Sequence, residues 1–196
     1  MEIPYTVEVR RDTGLNNGKI GIWLFLASEV MLFGALFASY ILIRTGAQTW
    51  PRGDTMLNVP MATFNTIVLI TSSVTMVMAW ASLERGRFAT FRMYMGTTVA
   101  LGFVFLVVKY FEYSHHIHEG AYPRSNNFLA IYFTLTGLHM LHVIGGMSVN
   151  AYLLGPGSKL YKTNRRWFIN RVENSGLFWH FVDLVWIFLF PTLYLL

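Results

Sequence analysis

The sequence predicts an all-α membrane protein, a bundle of five transmembrane helices in one domain over residues 1–196. The N-terminus is expected in the cytoplasm and the C-terminus on the outer side. Three observations predict this. Of 196 residues, 54% are hydrophobic and 13% charged, about half the charge of an ordinary soluble domain and too little to cover a soluble surface. Five apolar stretches reach the roughly 20 residues that cross a bilayer. Basic residues are unevenly divided between the loops, with eleven on one side against four on the other. The richer side holds Arg10, Arg11, Lys19, Arg85, Arg87, Arg92, Lys159, Lys162, Arg165, Arg166 and Arg171, and the poorer side Arg44, Arg52, Lys109 and Arg124. Basic loops stay in the cytoplasm. A chain that is 16% aromatic is not a disordered one. The net charge of +5 therefore reads as cytoplasmic loops facing anionic lipid, with no nucleic-acid partner.

The spans are expected over 20–43, 61–83, 93–114, 127–154 and 174–195. All are too long for strands and lack a two-residue alternation. The first follows a polar segment, residues 1–19, read as a solvated arm. It contains Glu29 and ends at no small-residue cleavage site, so it is not a removable signal. Glu29 has no basic neighbour in sequence. It is either a neutral carboxyl bonded to another helix or a proton-active or lipid-contacting one, because a bare charge inside a bilayer costs several kcal/mol, at least ~2.5.

The second span carries Thr66, Ser72, Ser73 and Thr75, hydroxyls suited to helix–helix hydrogen bonds. In the third, Lys109, Glu112 and Tyr113 have i, i+3, i+4 spacing; Lys109 is expected to pair with Glu112 and snorkel to the outer surface. The fourth holds Thr134, Thr136, Gly137, His139, His142, Gly145 and Gly146, a packing surface. In the fifth, His180 and Asp183 are three apart on one face, between Trp179 and Trp186. A direct His–Asp hydrogen bond would offset the cost of both. Gly53-Asp54 and Gly155-Pro156-Gly157 mark turns.

No residue is expected to be catalytic, to ligate a metal or to bind a cofactor. The absence of cysteine removes disulfides, thiolate ligation and a cysteine nucleophile. His115, His116 and His118 are placed in the third loop and His139, His142 and His180 within spans. The two groups lie at different depths and lack a His-x3-His pair, so they do not form one site. A bis-histidine haem would need His139 or His142 to face His180. Zinc-protease, P-loop and nucleophile-elbow patterns are absent. The odd number of spans without an inverted repeat speaks against a transporter.

Four stretches carry a family resemblance. They are Gly21-Ile22-Trp23-Leu24-Phe25-Leu26-Ala27-Ser28-Glu29-Val30-Met31-Leu32-Phe33; Phe64-Asn65-Thr66 with Ser72-Ser73; Thr136-Gly137-Leu138-His139-Met140-Leu141-His142-Val143-Ile144-Gly145; and Glu173 through Phe178-Trp179-His180-Phe181-Val182-Asp183-Leu184-Val185-Trp186-Ile187-Phe188. Lys109-Tyr110-Phe111-Glu112-Tyr113 adds a weaker fifth. In these stretches, which keep their order over nearly the whole chain, the sequence resembles cytochrome c oxidase subunit III of the haem-copper terminal oxidases. It resembles the short five-helix bacterial form, which lacks the first two helices of the longer one.

The resemblance implies a non-catalytic subunit of a complex that reduces oxygen to water and translocates protons. Haems and copper would belong to subunits I and II, and this chain would carry no redox centre. It would pack on subunit I, support proton uptake, protect against inactivation during turnover and bind phospholipid. Small subunits, and a cytochrome c-reducing complex in a supercomplex, are further implied partners. The implied location is the bacterial plasma (inner) membrane, with the C-terminus periplasmic. By position, Glu29 matches the family's carbodiimide-reactive intramembrane carboxyl. His139, His142, Glu173, His180 and Asp183 match helix-packing polar positions, and Lys159 a lipid headgroup contact. Asn170 stands near where some members carry histidine before the glutamate, which leaves a proton-collecting role of that loop unassigned. A quinol oxidase subunit III, or a homologue attached to nitric oxide reductases, is the alternative within the family.

Overall fold

The computed structural model describes residues 15–51, 53–118 and 120–195. Most of the expected arm, with Arg10 and Arg11, and also Arg52, lie outside these residues. Five long helices dominate: α1 (Asn17–Gly46), α2 (Val59–Glu84), α3 (Phe88–His118), α4 (Asn127–Leu154) and α5 (Arg165–Phe190). Each is long and apolar enough to cross a membrane. In lipid every backbone N–H and C=O must be paired within the segment, which leaves the helix as the form for these stretches.

Asparagine sets four of the five starts. Asn16, Asn58, Asn126 and Asn164 accept from the backbone N–H three residues on, in Lys19, Met61, Leu129 and Trp167, at 2.7–3.1 Å. Each cap satisfies one of the N–H groups that a helix start leaves open. At the far end of α2, Arg165 donates to the carbonyls of Leu83 and Glu84 at 3.0 and 3.1 Å. Gly86, at φ 75°, turns the chain from α2 into α3, a conformation that glycine adopts without strain.

The helices outrun the expected spans because their ends continue past the apolar stretch. Helix α1 starts at Asn17, so Lys19 lies in its first turn and not in a solvated arm. Helix α3 runs to His118, so His115, His116 and His118 form its last turn and not a loop. Helix α5 starts at Arg165, adding more than two turns before position 174. After α5 the chain makes a wider π-helical turn, Pro191–Leu195. A short helical turn, Gly53–Met56, packs on it so closely that a Cβ at Gly53 would overlap the Leu193 carbonyl.

Helix α5 is the hub. It packs on α2, α4 and α1, while α3 closes the bundle between α2 and α4. The core between them is aromatic, with Trp179, Trp186, Phe91, Phe105, Phe168 and Tyr132 all buried. Helix α1 leans on α5 and α4 and leaves Leu24, Met31 and Leu42 exposed. Two glycines let Trp179 sit between helices: a Cβ at Gly102 on α3 or Gly146 on α4 would come within 2.9 Å of its ring.

Candidate functional site

The chemistry-bearing side chains lie inside the membrane-spanning part of the bundle, in three groups. The first joins α1 to α4. Glu29 Oε2 lies 2.9 Å from His142 Nε2. His142 Nδ1 lies 2.8 Å from the Leu138 carbonyl one turn back on α4. A carbonyl only accepts, so Nδ1 carries hydrogen and fixes the tautomer. The pair then holds one further proton between Oε2 and Nε2, and its net charge is zero. This supplies the partner that the sequence neighbourhood of Glu29 lacks.

The second group joins α2 to α5. Ser73 Oγ bonds His180 Nδ1 at 2.6 Å, while Asp183 Oδ1 is buried without a hydrogen-bond partner among the described residues. The expected direct His180–Asp183 bond is not formed. The His180 ring nitrogen is taken by a hydroxyl from α2 instead. Other α2 hydroxyls act likewise. Trp179 Nε1 donates to Ser72 Oγ at 3.1 Å and Trp186 Nε1 to Thr66 Oγ1 at 3.0 Å. Thr75 bonds Thr98 of α3 at 2.8 Å.

The third group overturns an expectation. Lys109 does pair with Glu112, Nζ to Oε2 at 2.8 Å, but it does not snorkel; its side chain is 0% exposed. Nζ lies 4.8, 5.0 and 5.6 Å from the ring centroids of Trp186, Tyr194 and Tyr132, close enough for cation–π attraction. Glu112 Oε1 accepts from Tyr194 and Tyr132 hydroxyls at 2.6 and 3.0 Å. Because α3 continues nine residues past Lys109, its Cα sits ~13 Å below the helix end. That is further than a lysine stem reaches, so the ammonium is closed in by tyrosines from α4 and the C-terminal turn.

The remaining expected positions are dispersed. His139 is fully buried, stacked on Trp186 with centroids 5.3 Å apart and edge-on to Phe105. His139, His142 and His180 thus have separate surroundings. Among the described residues no three His, Asp or Glu side chains form a group able to hold a metal ion. Glu173 pairs with Lys19 at 2.7 Å, tying α5 to the first turn of α1. Lys159 is exposed in the turn after α4.

Between α1, α4 and α5 opens a cavity of about 550 Å³, lined by Phe25, Val149, Tyr152 and Phe178 and bearing Arg171 and Asn174 at one end. Arg171, whose guanidinium lies 4.5 Å from the Trp167 ring centroid, is counted in the sequence only among the basic loop residues but stands on α5. Its i, i+4 spacing from Trp167 was the available signal.

Comparison with known proteins gives one consistent result. The family model described as cytochrome c oxidase subunit III matches residues 5–196. A cytochrome c oxidase subunit 3 from Bacillus sp. (strain PS3) is 32% identical over 184 residues, covering 92% of this chain and 86% of the relative. A cytochrome bo(3) ubiquinol oxidase subunit 3 from Pseudomonas aeruginosa is 32% identical over 197 residues, covering 100% and 92%. A heme-copper oxidase subunit I+III from Aeropyrum pernix is 32% identical over 182 residues, covering 89% of this chain and 22% of that longer protein. With the Trp-His-Phe-Val-Asp and Thr-Gly-Leu-His elements placed in the bundle interior, the chain belongs to the cytochrome c oxidase subunit III family, the third subunit of haem-copper oxidases.

Proposed function

We propose that this chain is a non-catalytic structural subunit of a bacterial haem-copper terminal oxidase in the plasma membrane, N-terminus inside. It packs on subunit I, supports proton uptake there and holds phospholipid. The observation that carries this is that Glu29, Glu112 and His180 inside the bundle are each bonded to other side chains of this chain. Glu29 is committed to His142, Glu112 to Lys109 and two tyrosines, and His180 to Ser73. Groups so engaged lock helices together; a catalytic site presents such groups to a substrate. Haems and copper are then the partners' to hold, in subunits I and II, and electrons do not pass through this chain.

The cavity between α1, α4 and α5 takes a phospholipid. Its walls are apolar, and the guanidinium of Arg171 stands at the end where a phosphate would lie, a charge-assisted contact. Lys159, exposed after α4, adds a second headgroup contact from the same side. Association with subunit I is supported by the Aeropyrum relative, in whose name both subunits appear as one protein.

The alternative reading is subunit III of a quinol oxidase, favoured by the full-length match to the Pseudomonas protein. One experiment tests both. The tagged chain is purified in mild detergent from its native membrane, and a redox difference spectrum is recorded with a subunit inventory by mass spectrometry. Oxidase haem bands with subunits I and II are expected, and the haem type and subunit II identify the electron donor. A chain that purifies alone with its own iron overturns the reading.

A further inference from the structure

The polar groups at the level of Trp186 are not all met by one another. Asn65 on α2 and His139 on α4 are both 0% exposed. The amide oxygen and nitrogen of Asn65 and both ring nitrogens of His139 bond none of the described residues. Lys109 Nζ has three N–H groups and uses two of them, on Glu112 Oε2 at 2.8 Å and on the Tyr194 hydroxyl. Buried polar atoms nearly always have a partner, and an unmet one is costly.

These three residues lie at one level of the bundle. Lys109 Nζ is 4.8 Å from the Trp186 ring centroid, and the His139 ring is stacked on the same indole at 5.3 Å. Trp186 Nε1 donates to Thr66 Oγ1, next to Asn65 in sequence, at 3.0 Å. Helices α2 and α3 run antiparallel, with Thr75 bonded to Thr98. Ten residues from that contact along each helix, Asn65 is level with Val108 and Lys109. The unmet capacity is mixed. Lys109 and the Asn65 nitrogen donate, the Asn65 oxygen accepts, and a neutral His139 does one of each. A metal ion would meet none of the donors, and an acyl chain would meet nothing. Water both donates and accepts, and folded proteins hold it at such sites.

The site opens toward one end of the bundle. Glu112, which holds Lys109, also lines a cavity of about 490 Å³ between the turn before α2 and the last turns of α3, with Asn58, Met61, Phe111, His115 and His116. That end is the outer one in the orientation proposed above. Toward the other end Trp179 is buried, with its Nε1 on Ser72. Gly102 and Gly146 close on it so tightly that a Cβ on either would lie 2.9 Å from the indole.

We propose that ordered water occupies the bundle interior beside Trp186, bridging Lys109, Asn65 and His139, and that it exchanges through the Glu112 cavity with the aqueous phase at that end alone. The chain then has a wet half and a dry half, divided at Trp179, and its buried ion pair belongs to the outer side. Any support for proton uptake from the cytoplasm comes from other residues.

The test is X-ray radiolysis of the intact complex. Hydroxyl radicals formed from bound water oxidise the side chains beside it. Two tryptophans of equal burial, Trp186 at 0% and Trp179 at 1% exposure, serve as target and control. The complex is mixed into water labelled with heavy oxygen, irradiated, and read peptide by peptide by mass spectrometry. Trp186 is expected to be oxidised several-fold faster than Trp179, and its product to carry the label. Asn65→Leu, which keeps the volume and removes the amide, is expected to lower the Trp186 rate toward that of Trp179. Met61→Trp, which narrows the cavity, is expected to slow label uptake at Trp186.

Equal oxidation of the two tryptophans in the wild-type complex overturns the water site, whether or not either variant assembles. A Trp186 rate unchanged in an assembled Asn65→Leu complex removes Asn65 from it. Oxidation of Trp186 without label, or label uptake undiminished in Met61→Trp, overturns the route through the Glu112 cavity. Target and control both lie in this chain, so each outcome is independent of the oxidase reading.

Discussion

Glu29 and His142, 113 positions apart, share one proton across the α1–α4 seam, with Oε2 2.9 Å from Nε2 and the far ring nitrogen fixed on the Leu138 carbonyl. A glutamine at position 29 can donate its amide N–H to Nε2, whereas alanine leaves the ring nitrogen without a partner. Glu29→Gln is therefore expected to hold the apparent unfolding temperature of the complex near that of the wild type. Glu29→Ala is expected to lower it by the equivalent of about 1–3 kcal/mol, the cost of an unmet buried polar group. Thermal melts of the two purified variants, side by side, check this.

The buried ion pair gives a sharper contrast. Lys109→Met leaves the Glu112 carboxylate buried with only two tyrosine donors, and breaking such a pair costs about 3–5 kcal/mol. The double variant Lys109→Met/Glu112→Leu removes both charges and is expected to recover much of that loss. Yield of assembled complex and its melting temperature are the readouts; a double variant worse than the single one contradicts the description of this site.

Glycine packing around Trp179 makes a position-specific prediction. Gly102→Ala and Gly146→Ala place a Cβ 2.9 Å from the indole and are expected to destabilise by about 1–3 kcal/mol through overpacking. Gly21→Ala and Gly145→Ala meet nothing within 4 Å and are expected to be neutral. Melting curves of the four variants separate the two classes.

The lipid assignment turns on charge. Arg171→Gln keeps bulk and polarity but removes the cation at the end of the α1–α4–α5 cavity. Phospholipid retained per complex, counted by native mass spectrometry after delipidating washes, is expected to fall. Val149→Trp, which fills the cavity from α4, is expected to do the same with Arg171 in place. Undiminished lipid in both variants removes this site.

Five helices were legible in the sequence because apolar length alone decides what crosses a bilayer. The ends were not, because α1, α3 and α5 carry Lys19, the three terminal histidines and Arg165 onward as helix outside the apolar stretch. Spacing within one helix correctly paired Lys109 with Glu112. It failed for His180 and Asp183 because Ser73, 107 positions away, takes the bond. It also gave no sign that Tyr132 and Tyr194 close over Lys109 and hold it inside. The partner of Glu29 had the same character: His142 stood out as a residue, but only the fold sets it opposite Glu29. Helical periodicity reports neighbours three or four residues apart, and the site is built almost wholly from pairs between helices.

In the function proposed for it, this chain sustains an oxidase without carrying its chemistry. The most direct measurement compares the oxidase with and without this chain, following the haem spectrum, the initial oxygen-consumption rate and the number of turnovers before activity is lost. An unchanged haem spectrum, a substantial initial rate and a markedly shorter catalytic life are expected without the chain. Loss of a haem band with the chain, or an undiminished catalytic life and undiminished proton pumping in its absence, would contradict it.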